Sequence, residues 1–131
     1  MAARARVCAL CGLGVVVTAG ADVAPEPGDA FLIVDGRLRV GALSEAAERL
    51  LGVEEPLAVH RLLSDFLEPA DVEVVPQEAL MQAVIDAAGG GLGSRRVFVR
   101  PKGEYGVRYA ARIGPCWPPA GALIVLAADL A

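Results

Sequence analysis

Cys8 and Cys11 stand in a C-x-x-C spacing, which supplies two thiolates to zinc or closes a redox dithiol. A structural zinc site takes four ligands. No second C-x-x-C follows. His60, the only histidine, and Cys116, the third cysteine, would have to complete the set from far away in sequence. A thioredoxin-type dithiol sits between a strand and a helix, and Cys8-Ala9-Leu10-Cys11 lacks that context. The pair therefore reads first as structural thiols. Zinc binding, including a site shared between two chains, and redox chemistry are the alternatives. An odd cysteine count in a short chain describes no disulfide framework and points to a reducing cytoplasm.

Other reactive side chains are dispersed. Ser44 has the look of a helix cap and no base near it in sequence. Glu54-Glu55 and the Asp65/Glu68 pair offer carboxylates for acid–base work, but read as solvated surface. Gly89-Gly90-Gly91 and Gly93 follow a helical pattern, whereas a phosphate cradle leads into one, so they read as a loop. Arg37, Arg39, Arg108 and Arg112 lie on strand patterns, either as anion ligands or as a solubilising face. The expectation is a protein that is not an enzyme.

The chain has 131 residues, which fits one domain able to support a core without disulfides. Net charge is −4 and aromatic residues make up 5%, so neither a basic face nor a stacking surface for nucleic acid is expected. Arg4 and Arg6 precede an apolar run, Val7 to Ala19, then Ala19-Gly20-Ala21. That run is too short for a membrane span. It has the form of a secretory signal over residues 1–21, which would make the domain secreted. The other reading is a buried flank, in which Val15-Val16-Val17-Thr18 is a β-branched strand. Residues 1–28 are thus an apolar flank and linker, and 29–131 the main domain.

These elements must position whatever chemistry exists. Phe31 to Val34 is a continuous apolar run, as in a central strand. Asp35-Gly36 signals a hairpin, and Leu38 to Leu43 returns. Ser44 caps a helix whose apolar face holds Ala46, Ala47, Leu50 and Leu51, and Gly52 stops it. Pro56 breaks the next loop, and Val59 to Leu67 reads as one or two short helical turns. Pro76 opens a longer helix with Leu80, Ala83, Val84 and Ala87 on its buried stripe. Three strands close the chain: Arg96 to Arg100, the alternating Val107 to Ile113, and Ala120 to Ala127, with Gly114 to Pro119 as a proline-rich loop.

This order resembles that of PAS domains, over roughly Asp29 to Leu130. Asp35 resembles the acidic residue ending the first strand. Ser44 stands where many members have Asn, before Ala46-Ala47. Glu68-Pro69-Ala70-Asp71 resembles the His-Pro-x-Asp stretch, and Asp129-Leu130-Ala131 the Asp-Ile-Thr end motif. The last motif often passes a signal onward, so the chain reads as an excised sensor or a stand-alone module. The resemblance implies an α+β fold, with a five-stranded antiparallel sheet and helices packed on one face.

It also implies a sensory or regulatory module in bacterial signal transduction that binds a small ligand or an effector protein. A candidate cavity between sheet and long helix would be lined by Val34, Leu43, Leu62, Phe66, Leu80, Val84, Phe98, Tyr109 and Ile113, which otherwise simply fill a core. The cofactor is unknown. Flavin photosensors carry a motif cysteine in the helical region, and no cysteine lies between Cys11 and Cys116. Haem members use a His on the long helix, and Pro76 to Ala88 has none. A ligand-free homodimer, with the apolar flank packed across a twofold axis, is the alternative. Neither nucleic acid nor a membrane is expected as a partner.

Overall fold

The structure is a computed structural model. It describes residues 4–7, 17–20, 25, 28–70, 77–90, 94–104, 106–117 and 120–128, and for 4–7, 17–20, Trp117 and Ala128 the backbone only. The strands are β1 (Arg4–Val7), β2 (Val17–Gly20), β3 (Ala30–Val34), β4 (Val40–Leu43), β5 (Leu67–Pro69), β6 (Arg95–Pro101), β7 (Tyr109–Trp117) and β8 (Gly121–Ala128). The helices are α1 (Glu45–Leu51), α2 (Glu55–Ala58) and α3 (Gln77–Ala88), with a 3₁₀ turn at Leu63–Asp65.

All eight strands join one antiparallel sheet. Its centre runs β4–β3–β8–β7. The free edge of β7 is then shared: β6 pairs along Tyr109 to Ile113, and β2 pairs at Cys116 and Trp117. β5 continues outward from β6, and β1 from β2. The expected five strands are β3, β4, β6, β7 and β8. The sheet has eight because the flank supplies a hairpin, β1–β2, and Leu67–Pro69 adds a short strand. The flank thus contributes to the sheet instead of lying outside it.

Side chains alternate between the two faces of each strand. On β3, Ala30, Leu32 and Val34 face inward, toward α1 and α3, while Phe31 and Ile33 face outward. On β8, Ala122, Ile124 and Leu126 face inward, and Leu123 and Val125 outward. Both sets are buried, Ile33 only in part. A strand buried on both sides reads as an unbroken apolar run, which is what Phe31 to Val34 and Ala122 to Leu126 show.

Local chemistry explains most boundaries. Ser44 caps α1 by accepting the Ala47 N–H at 3.2 Å. Gly52 ends it in the left-handed region, φ +68°, donating its N–H to the Glu48 carbonyl at 2.9 Å. The hairpin after β3 forms where Asp35-Gly36 signals it. Its left-handed residue is Leu38, φ +65°, and not Gly36. Asp35 holds that turn: its Oδ1 accepts the N–H groups of Arg37 at 2.8 Å and Arg39 at 3.0 Å.

Three expectations fail, the second of them in part. Pro56 does not break a loop but sits in the first turn of α2, where its missing N–H costs nothing. Of Val59 to Leu67, Leu63–Asp65 is a helical turn, of 3₁₀ type, but 59–62 are not helical. The His60 N–H donates to the Val40 carbonyl, the Val40 N–H to Arg61, and the Leu63 N–H to Leu38, each at 2.8 Å, so this segment straps the edge of β4. Gly114 to Trp117 is strand, not loop, held by pairing with β8 from Gly114↔Leu123 to Cys116↔Gly121. Pro115 is tolerated there because β6 has ended and β2 has not yet begun on the other edge.

Candidate functional site

α3 lies across β7 and β8, and α1 against β3, closing a core over the inner face. Val34, Leu43, Phe66, Leu80, Val84 and Ile113 meet in this one buried cluster, and Tyr109, half-buried, packs against it. Leu62 and Phe98 are elsewhere. Leu62 lies on the strap over β4, bridged to Arg39, and is 40% exposed. Phe98 faces outward from β6, with the Arg108 guanidinium 3.9 Å from its ring centroid.

Register accounts for Phe98. Val97 pairs with Ala111, which is inward and fully buried, so Val97 and Val99 point inward and Phe98 outward. The alternation of Tyr109, Ala111 and Ile113 carried that signal, once Val97 was aligned with Ala111. Leu32, Leu63, Leu67, Val99 and Ile124 also line the inner core, beyond the nine candidates. Each fully buried side chain of this size contributes about 1.5–3 kcal/mol, so the candidate site is also what holds the fold together.

Ser44 joins the helical layer to the sheet. It is 2% exposed. Its Oγ accepts the Phe31 N–H at 2.9 Å and the Ala47 N–H at 3.2 Å, and donates to the Asp29 carbonyl at 3.1 Å. One donor and two acceptors exhaust a hydroxyl. All three partners are backbone groups, so the start of β3 and the start of α1 are fixed to one atom.

Glu68 does the same for β5 and the β6–β7 turn. Its Oε1 accepts the Gly103 N–H at 2.9 Å, and its Oε2 faces Arg100 Nη2 at 3.4 Å. Arg100 Nη1 also reaches the Ala70 carbonyl at 3.2 Å. The Gly103 N–H, more than Arg100, holds the Glu68 carboxyl below the usual carboxylate range, against a smaller opposing push from burial. Asp71, the last residue of this stretch, lies outside the described residues.

The remaining reactive groups are separated. Cys116 is buried on the outer face, and burial pushes its thiol up to about 11, which keeps it protonated at neutral pH. Cys8 and Cys11 lie outside the described residues. His60 is exposed on the strap, in the left-handed region at φ +74°, and its carbonyl accepts Arg39 Nη1 at 2.7 Å. Among the described residues, no group of three His, Cys, Asp or Glu suits a metal ion. Glu55 accepts the Leu43 N–H at 2.9 Å, and Asp65 pairs with Arg61 at 3.4 Å. Glu54 lines an open groove beside α1 and α2, with Glu45, Glu48, Arg49, Gly52, Val53 and Pro56. Among the described residues, no helix is long and apolar enough to cross a membrane.

No protein-family model and no curated protein sequence matches the chain. Solved structures do match its fold. The PAS domain of nitrogen regulation protein NR(II) from Vibrio parahaemolyticus is similar with a TM-score of 0.51, over 79% of this chain and 92% of that one, at 17% identity. A PAS domain from a two-component sensor histidine kinase is similar with a TM-score of 0.53, over 79% of this chain and 87% of that one, at 8% identity. The likeness is one of fold. The chain has the PAS-like α+β fold, an antiparallel sheet with helices across one face.

Proposed function

We propose that this PAS-like domain is a non-catalytic sensory module of bacterial signal transduction, working in the cytoplasm. A small apolar ligand, or the lack of one, sets how α3 packs on β7 and β8. A ligand that favours one packing shifts the population toward it, and the sheet reports the change to an effector protein. The observation that carries this reading is the single inner cluster that brings Leu80 and Val84 of α3 onto Val34, Leu43, Phe66 and Ile113. The two similar domains come from a nitrogen regulation protein and a sensor histidine kinase, which supports a signalling role.

Native mass spectrometry tests it, on protein purified without metal affinity or added ligand, with the denatured mass of the same sample as reference. A non-covalent mass excess on the native chain is the expected result. A bare monomer after exposure to host-cell metabolite extract would contradict ligand sensing.

A second reading is a ligand-free homodimer. β1 supports it: among the described residues it pairs only with β2, and a second chain pairing along its other edge would extend the sheet. A bare dimer whose fraction rises with concentration would favour that reading.

A further inference from the structure

The outer face of β6 and β7 carries an arrangement of charge that the core does not use. Arg96 and Arg112 are direct cross-strand partners. Such partners project from the same face with Cβ atoms about 4.5–5.5 Å apart, and like charges there are destabilising. Among the described residues, no hydrogen bond or ion pair engages either guanidinium, and Arg112 Nε is buried without a partner. Two other arginines differ. Arg95 pairs with Asp86 at 3.2 Å, and Arg100 meets Glu68.

The surroundings make this a surface and not an accident of one pair. The outward positions of β3 and of β5 to β8 contain a single carboxylate, Glu68, which is already engaged. Arg108 adds its cation over Phe98 on the same face. Along one row of the sheet, Arg96, Arg112, Val125 and Phe31 run from exposed to fully buried. The outer face is thus closed and apolar at its centre, and open and cationic toward β6.

We infer that this cationic half docks an acidic segment of a partner protein, with carboxylates seated between Arg96 and Arg112. Guanidinium forks match carboxylate geometry. Arg112 Nε is already out of water, so part of the desolvation cost is met before binding. Nucleic acid fits less well: net charge is −4, and Phe98 is covered by Arg108 instead of offering a stacking face. This inference deepens the effector half of the proposed function.

Fluorescence anisotropy of a labelled oligoglutamate peptide on the full chain at low salt tests it, with thermal melting of every variant. The wild type should bind, and salt should weaken it. Arg96→Glu and Arg112→Gln should each weaken binding by about tenfold or more. Arg49→Gln, on α1, should not. Arg96→Glu should melt no lower than wild type, because the new carboxylate faces Arg112. That keeps the test decisive even if Arg112→Gln misfolds. Absent binding, equal loss in Arg49→Gln, or equally tight binding of oligothymidylate would overturn the inference. Failure here together with a native mass excess would remove the docking surface and leave the core reading standing.

Discussion

The two faces of the sheet are built from the same alternating strands but to different ends. The inner face is apolar across its centre and is covered by α1 and α3, with Arg95 at its β6 end paired to Asp86 of α3. The outer face is apolar only around Phe31, Leu123, Val125 and Cys116, and becomes arginine-rich toward β6. On the inner face stability and candidate ligand binding share the same atoms, so a change there alters both. On the cationic side the groups are exposed or half-buried and contribute little to folding. Substitutions there can change partner binding and leave the fold intact.

Substitutions in each region sharpen that contrast. Leu80→Ala removes a side chain that is 1% exposed, at the contact of α3 with the sheet. It should cost about 2–5 kcal/mol in urea unfolding, whereas Leu62→Ala on the strap should change stability by less than about 0.5 kcal/mol. Similar losses at both positions would break the distinction between core and strap.

Ser44→Ala tests the joint between the layers. It leaves the N–H groups of Phe31 and Ala47 without their buried acceptor, and should cost about 1–3 kcal/mol. Gly121→Ala probes the close approach of β8 to β3. An added Cβ would lie 2.9 Å from the Val34 carbonyl oxygen, so a loss of about 1–3 kcal/mol is expected in the same assay.

Two titrations have smaller effects. The Cys116 thiol is raised from 9.0 to about 11, so its stabilising contribution is whole below pH 9 and is lost as pH rises toward about 11. Peptide mapping after alkylation at neutral pH should therefore find Cys116 unmodified in the native chain and modified in urea. The lowered Glu68 carboxyl has the opposite sign. Its contribution is present above the ordinary carboxylate range and is lost as pH falls through its depressed value. Glu68→Gln should flatten the acid limb of a stability–pH profile slightly, and an unchanged limb would show that the strut carries no linkage.

Local signals were sufficient where structure is local. The apolar runs of β3 and β8, the Ser44 and Gly52 ends of α1 and the stripe of α3 could all be read from nearby residues. Long-range pairing was not legible in the same way. Residues 59–62 carry a helix-like spacing, yet the free edge of β4 takes their backbone hydrogen bonds. Gly114 to Trp117 has loop composition, yet β8 runs alongside and makes it strand. Of the candidate cavity residues, Phe98 was separated from the others by one step of register, and Leu62 by the strap. The Arg96/Arg112 pairing exists only once β6 is aligned on β7.

The proposed sensing rests on an inner core that responds to a ligand. Native mass spectrometry of the wild type beside Val84→Phe, purified identically, tests it most directly. A non-covalent mass excess is expected on the wild type and its loss in the variant, where the larger ring takes up inner space a ligand would need, with both showing folded charge-state distributions. A bare wild-type mass, or an excess that survives in Val84→Phe, would contradict it.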